Sequence, residues 1–166
     1  NTMGNTLRTA ADFRLPPTFA DVSNLDGNNT PSPLITNVPT QTIASLRLTN
    51  FANVTLNAAT ITPPYTLTLS GASGNDLAVP FGSSLTLAGA NVLKLNVASG
   101  STGIVGGTMI VQDAAHRLLG NAANAITFQS GALFTTSTGF TGNAFGSGAG
   151  GDGVAGSVNF ASGSFY

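Results

Sequence analysis

The chain contains no cysteine, no glutamate and no tryptophan, and its only lysine is Lys94. Without cysteine there is no disulfide scaffold and no thiolate ligand for a metal, so a backbone ladder and a core must hold the fold. Charged residues make up 7% of the 166 residues, against roughly 25% in ordinary soluble domains. The formal net charge is −1, so no basic stripe exists to neutralise phosphates, and a nucleic-acid partner is excluded. No window approaches the ~18 consecutive apolar residues of a membrane-spanning helix. The expectation for an exported form is that its signal peptide has been removed before Asn1. Good helix formers are scarce, which argues against a long helix. The one helix-like window is "QDAAHRLLGNAANAI", residues 112–126, where a turn or two of helix would fit.

What the chain does have is 42% hydrophobic residues, 21 glycines and many β-branched residues. Disorder combines low hydrophobicity with high net charge, and this sequence has neither. From residue 43 onwards, short alternating segments follow one another: "IASLRL" (43–48), "NVTL" (53–56), "YTLTLS" (65–70), "SSLTLAG" (83–89), "VLKLNV" (92–97), "GTMIVQ" (107–112). Period-2 alternation marks half-buried strands, and the Gly- and Ser-rich separators are turn chemistry. Residues 1–42, rich in Pro, Asn and Thr, read as an irregular N-terminal cap, and 146–156, "GSGAGGDGVAG", reads as a flexible loop.

One phrase occurs twice. "ITFQSGALF" (126–134) and "VNFASGSFY" (158–166) share the pattern apolar-x-Phe-x-Ser-Gly-x-x-aromatic at an offset of 32 residues. Two looser relatives are "LTNFANVTL" (48–56) and "VPFGSSLTL" (79–87). A repeat of this size predicts a solenoid. An antiparallel sandwich would call for charged solvent faces and Asn-Gly-type hairpins, which are lacking. In a parallel stack, like residues sit above like at about 4.8 Å, where stacked charges repel and Thr, Ser, Asn, Val and Phe do not. The expected fold is therefore all-β: a parallel β-helix over 43–166, right-handed, with the cap on its N-terminal end. In each phrase the Ser-Gly pair makes a corner between two strands. Phe128 should lie near Phe160, and Phe134 near Tyr166 or Phe165. Because the phrase runs to Tyr166, the coils are expected to continue in a longer protein.

The stretch from "GNDLAVPFGSSLTLAGANVLKLNV" to "GSVNFASGSFY" resembles the β-helical repeat regions of large surface and secreted proteins of Bacteroidota. Ahead of it, "NTLRTAADFRLPPTFADV" is similar to the segment that opens such regions, with Asp12-Phe13 where those proteins commonly have Asn-Trp. The resemblance implies export, commonly by the type 9 secretion system through contact with its machinery, and an adhesive or surface-coat role.

Chemistry is thinly represented. Glycoside chemistry needs two carboxyls about 5–10 Å apart. The six acids are Asp12, Asp21, Asp26, Asp76, Asp113 and Asp152, no two of them at i, i+2 in one strand. Asp113, His116 and Arg117 form the one constellation resembling a site: a base with an orienting carboxylate, or else a polar turn with local pairing. "GAGGDG" (148–153) resembles a calcium nonapeptide, but one Asp supplies too few of the six to eight oxygens required. Thr-x-Thr segments could seed an ice-binding face, and "NNT" (28–30) and "NVT" (53–55) match the glycosylation pattern. No catalytic, cofactor or metal residues are assigned. The expectation is a non-enzymatic structural or adhesive segment of an extracellular or cell-surface bacterial protein, with glycans or surfaces as partners and self-association as a further option. Two alternatives are the non-catalytic N-terminal part of a secreted polysaccharide-active β-helix enzyme and a subunit of an extracellular filament.

Overall fold

The computed structural model describes the backbone of 22–26 and residues 34–49, 51–59, 64–71, 74–113, 116–138, 140, 142–147 and 152–166. The chain winds in coils of up to three strands. The first holds β1 (Val22–Asp26), β2 (Leu34–Val38) and β3 (Gln41–Ile43). The second holds β4 (Ser45–Thr49), β5 (Asn53–Ala58) and β6 (Tyr65–Leu69). The third holds β7 (Asn75–Val79), β8 (Ser84–Ala88) and β9 (Leu93–Val97). The fourth holds β10 (Thr102–Val105), β11 (Thr108–Val111) and β12 (Arg117–Gly120). The fifth holds β13 (Ile126–Phe128) and β14 (Leu133–Thr136), and β15 (Val158–Phe160) opens the sixth.

Every ladder is parallel and joins each strand to its counterpart one coil away. Three walls result: β1-β4-β7-β10-β13-β15, β2-β5-β8-β11-β14 and β3-β6-β9-β12. This is a parallel β-helix, and no helix occurs among the described residues. The described residues of the window 112–126 form β12, bends and turns, and the first residue of β13 instead. Leu118 and Gly120 enter the ladder against Leu95 and Val97, and that pairing overrides the local helical look. The coils also begin before residue 43, because β1, β2 and β3 pair with β4, β5 and β6 inside the stretch read as an irregular cap. Pro39 sits between β2 and β3, where no ladder N–H is needed, so it did not mark the end of the strands.

The core is made of stacked columns. Val54, Leu85, Met109 and Phe134 form one; Leu67, Leu95 and Leu118 another; Val79, Val105, Phe128 and Phe160 a third. All but Phe160 are buried. The alternating pattern dictates this arrangement: shifting any strand by one residue would turn its apolar set outward.

The corner between the first and second walls recurs as one four-residue turn. The fourth residue's N–H donates to the first residue's carbonyl in Thr49–Ala52, Pro80–Ser83, Gln129–Ala132 and Ala161–Ser164. The third residue has positive φ each time: Phe51, Gly82, Gly131 and Gly163. This is the conformation Gly adopts at no steric cost, and it explains the Ser-Gly of the phrase. In the fourth coil the corner shrinks to Gly106-Gly107, whose N–H groups both donate to the Val79 carbonyl at 2.7 and 3.0 Å. Coil length varies accordingly: along the first wall the steps Leu46 to Leu77, Gly103, Ile126 and Val158 are 31, 26, 23 and 32 residues.

Candidate functional site

The constellation of Asp113, His116 and Arg117 lies at the corner between the second and third walls. His116 is 1% exposed. Its Nδ1 accepts a hydrogen bond from the Leu93 N–H at 3.0 Å. The ring is therefore the Nε2–H tautomer, and Nε2–H donates to the Gly89 carbonyl at 3.1 Å. Both nitrogens are occupied by backbone of the preceding coil. Burial holds the imidazole below its ordinary pKa, and the bond to Gly89 and the Asp113 charge oppose that only in part. Arg117 turns back to donate from an Nη to the His116 carbonyl at 2.9 Å. Asp113, exposed and at φ 63°, donates its backbone N–H to Ser137 Oγ at 3.2 Å. The three residues share a corner, but the histidine offers no free nitrogen to a substrate. The histidine's bonds run to the preceding coil, not within a local ion-paired turn.

The remaining acids do not converge. Asp12 and Asp21 lie outside the described residues, as does the side chain of Asp26. Asp76, in β7 of the first wall, is buried and accepts from the Thr102 N–H at 3.3 Å. Asp152, the acid of the calcium-like hexapeptide, has both oxygens engaged: Lys94 Nζ donates to one at 3.0 Å and the Ser147 N–H to the other at 3.0 Å. The Lys94 bond chiefly holds this carboxyl below the usual range, against the opposing effect of burial. Among the described residues, no group of three or more His, Cys, Asp or Glu stands close enough to share a metal ion. The segment read as a flexible loop thus has part of its length (Gly146, Ser147 and 152–156) clasped to the third wall, while 148–151 fall outside the described residues.

That clasp answers a charge problem. On β9 and β12, Lys94 stacks directly against Arg117. Two cations one rung apart repel, and Asp152 reaches in from the loop to offset them. On the second wall, Thr55 and Thr86 stack, but Ile110 follows, so the rank of threonines is broken. Asn53 of the "NVT" triplet lies within β5, its Oδ1 accepting from Ser84 Oγ at 2.8 Å.

What reading the sequence missed at the sixth coil is Phe145, which joins ring stacks that the repeated phrase predicts. Phe128 stacks on Phe160 with centroids 4.7 Å apart and rings 15° from parallel. Phe134 stacks on Tyr166 at 5.5 Å and 15°. Phe145 joins from the loop, 4.6 Å from Phe134 and 5.8 Å from Phe160. Tyr166 is 82% exposed and Phe165 61%. Beside these rings lies a hollow of about 320 Å³ whose walls include Asn143, Phe145, Val154, Val158 and Phe160. The two stacks were expected from the repeated phrase. Phe145 was not, because "NAFGSG" carries no strand periodicity. Searches against family models, curated proteins and solved structures found no match to the chain.

Proposed function

We propose that the chain is a structural, adhesive segment of an exported bacterial surface protein. In this reading it is a stiff, weakly charged rod that presents hydroxyl- and amide-bearing walls to glycans or solid surfaces. The observation that carries it is the in-register parallel stack, which spends its polar side chains on corners and outer walls rather than on a converging site. Stiffness follows from the ladder: each coil is hydrogen-bonded to its neighbours along the axis, and stability accumulates coil by coil. Adhesion would come from many weak hydrogen bonds and exposed rings such as Phe51 and Phe81, with little ionic contribution. The test is retention of the purified protein on a panel of glycans and of mineral and polymer surfaces at low and high salt. Retention that salt leaves unchanged is the expected result, since few charges are there to be screened. Retention nowhere on the panel, or retention abolished by salt, removes the adhesive half of the proposal.

A further inference from the structure

We propose that the corner between the first and second walls, in the second and third coils, is a binding site for a neutral pyranose-based glycan. Phe51 and Phe81 are its stacking platforms and Asn53 its amide donor. The inference rests on the adhesive reading and deepens it, naming a place on the rod and a ligand class. Both coils are paired to a further coil on either side, so neither ring lies at an end of the stack.

Phe51 stands at the third position of the four-residue turn, at φ 58°, where the other three turns of this corner have Gly82, Gly131 and Gly163. The left-handed region crowds a Cβ against the following carbonyl oxygen, and Phe lacks the short polar side chain with which Asn or Asp compensates locally. Burial does not offset that cost, because Phe51 is 69% exposed. A ring held at the surface on strained backbone is accounted for by what it displays. The next coil builds its seat. A Cβ on Gly82 would overlap the ring's Cδ1 and Cε1, so the glycine leaves room for that edge of the ring. Phe81, beside the glycine, is 78% exposed. Two rings thus stand at one corner, on coils a single rung of about 4.8 Å apart.

The surroundings select the ligand. The described residues of this corner in the second to fifth coils, 49, 51–53, 80–84, 106–108 and 129–132, include no charged side chain. An anionic or cationic partner therefore gains no ion pair there. Asn53 is exposed, two residues from Phe51, and its Oδ1 accepts from Ser84 Oγ at 2.8 Å. That bond fixes the amide and leaves its Nδ2 hydrogens as donors. Neutral sugars present the matching chemistry: an apolar C–H face for the electron-rich face of a ring, and rim hydroxyls for an amide. A lipid or an apolar peptide calls for a continuous apolar patch, and here Asn53 and Ser84 follow directly on the turns that carry the rings.

The test is titration of the isotopically labelled full chain with neutral hexasaccharides of glucose, mannose and N-acetylglucosamine, followed by amide chemical shifts. Oligogalacturonate serves as the anionic counterpart. Saturable shifts centred on 51–53 and 80–84 are expected with at least one neutral hexasaccharide, unchanged between low and high salt, and absent with oligogalacturonate. Phe51→Gly and Phe81→Ala should each weaken that binding at least about tenfold. Phe51→Gly should also melt no lower than the parent, because it removes a left-handed Cβ along with the ring. A ring kept for packing alone predicts the opposite, a lower melt with binding untouched. Four results would overturn the proposal: no saturable shift at the corner with any neutral hexasaccharide, equal binding of oligogalacturonate, parental binding by either variant, or a lower melt for Phe51→Gly. A parent retained on surfaces whose corner does not titrate loses this site and keeps the adhesive reading. A parent retained nowhere whose corner titrates does the reverse.

Discussion

Single residues set the shape of the corners, and they do so by three different means. Gly107 has backbone where a side chain would be: a Cβ there would collide with the carbonyls of Ser83 and Pro80. Gly100 has open space around it but φ 84°. Gly107→Ala should therefore cost more than about 2 kcal/mol in urea unfolding, and Gly100→Ala about 1 kcal/mol, the cost of a left-handed Cβ. Equal losses would mean that crowding at the short corner is relieved by backbone movement. His116 acts differently, as a side chain standing in for ladder backbone. Its pKa is lowered in the fold, so the unfolded chain takes up the proton first as pH falls. Stability from this residue is complete above the unfolded value of about 6.5 and is lost as pH drops from there towards the folded value. The protonated ring would also set an Nδ1–H against the Leu93 N–H. Thermal melts of His116→Asn, which keeps an acceptor near Nδ1 but cannot titrate, should lack the decline that the parent shows below pH ~6.5. An identical pH profile for the two would assign the decline to other groups. None of this was legible in "QDAAHR". Spacing can place a histidine beside an aspartate, but it cannot say that the ring turns inward to another coil.

At the scale of elements, strands with alternating apolar residues announced themselves, and those that borrow order from a neighbour did not. β13 and β15 were readable because the same phrase recurs with its corner and rings intact. β12, "RLLG", has three buried residues in four and no alternation, so its strand character comes from β9 beneath it. β2 and β3 were hidden by the proline at their shared corner. The loop 142–156 hid for the converse reason: glycines masked a segment that the Ala144 carbonyl ties to the third wall by accepting the Leu118 N–H at 2.8 Å. Further ties are the Val154 N–H to the Gly120 carbonyl at 2.9 Å and the Lys94–Asp152 pair, whose side chains remain 27% and 24% exposed. Asp152→Asn should lower global stability by less than about 1 kcal/mol, as for other partly solvated pairs. Cleavage within 142–156 by a nonspecific protease should nonetheless quicken, because the substitution replaces the carboxylate that holds Lys94 with a neutral amide. Unchanged cleavage would mean that the backbone ties, Leu118 N–H to the Ala144 carbonyl and Val154 N–H to the Gly120 carbonyl, hold the loop without the ion pair.

Along the axis, the inward columns change composition from Leu and Val in the middle coils to Phe in the fifth and sixth. Phe128 and Phe134 are the largest of the fully buried side chains, and their edge-to-face contact at 5.8 Å joins the first wall to the second. Phe128→Ala should cost about 3–5 kcal/mol. In hydrogen exchange the loss should fall on the fifth and sixth coils and spare Leu67 and Leu95, since distant coils of a solenoid couple only through those between them. Uniform loss of protection would show instead that the stack opens as one unit. The architecture itself was plain from composition. The paucity of charge is a property of stacking, and where Lys94 and Arg117 do stack, Asp152 stands beside them.

The unequal steps between rungs have an evolutionary and practical corollary. A wall position is bound rung by rung to the positions above and below it, whereas corners of different length sit side by side in neighbouring coils, as Pro80–Ser83 and Gly106-Gly107 do. Length can therefore be gained or shed at a bend without disturbing any rung, as the two-glycine bend of the fourth coil and the long excursion before the sixth already illustrate. Foreign sequence spliced into such a bend would be carried on the outside of the rod, with its height along the axis chosen by the coil that receives it.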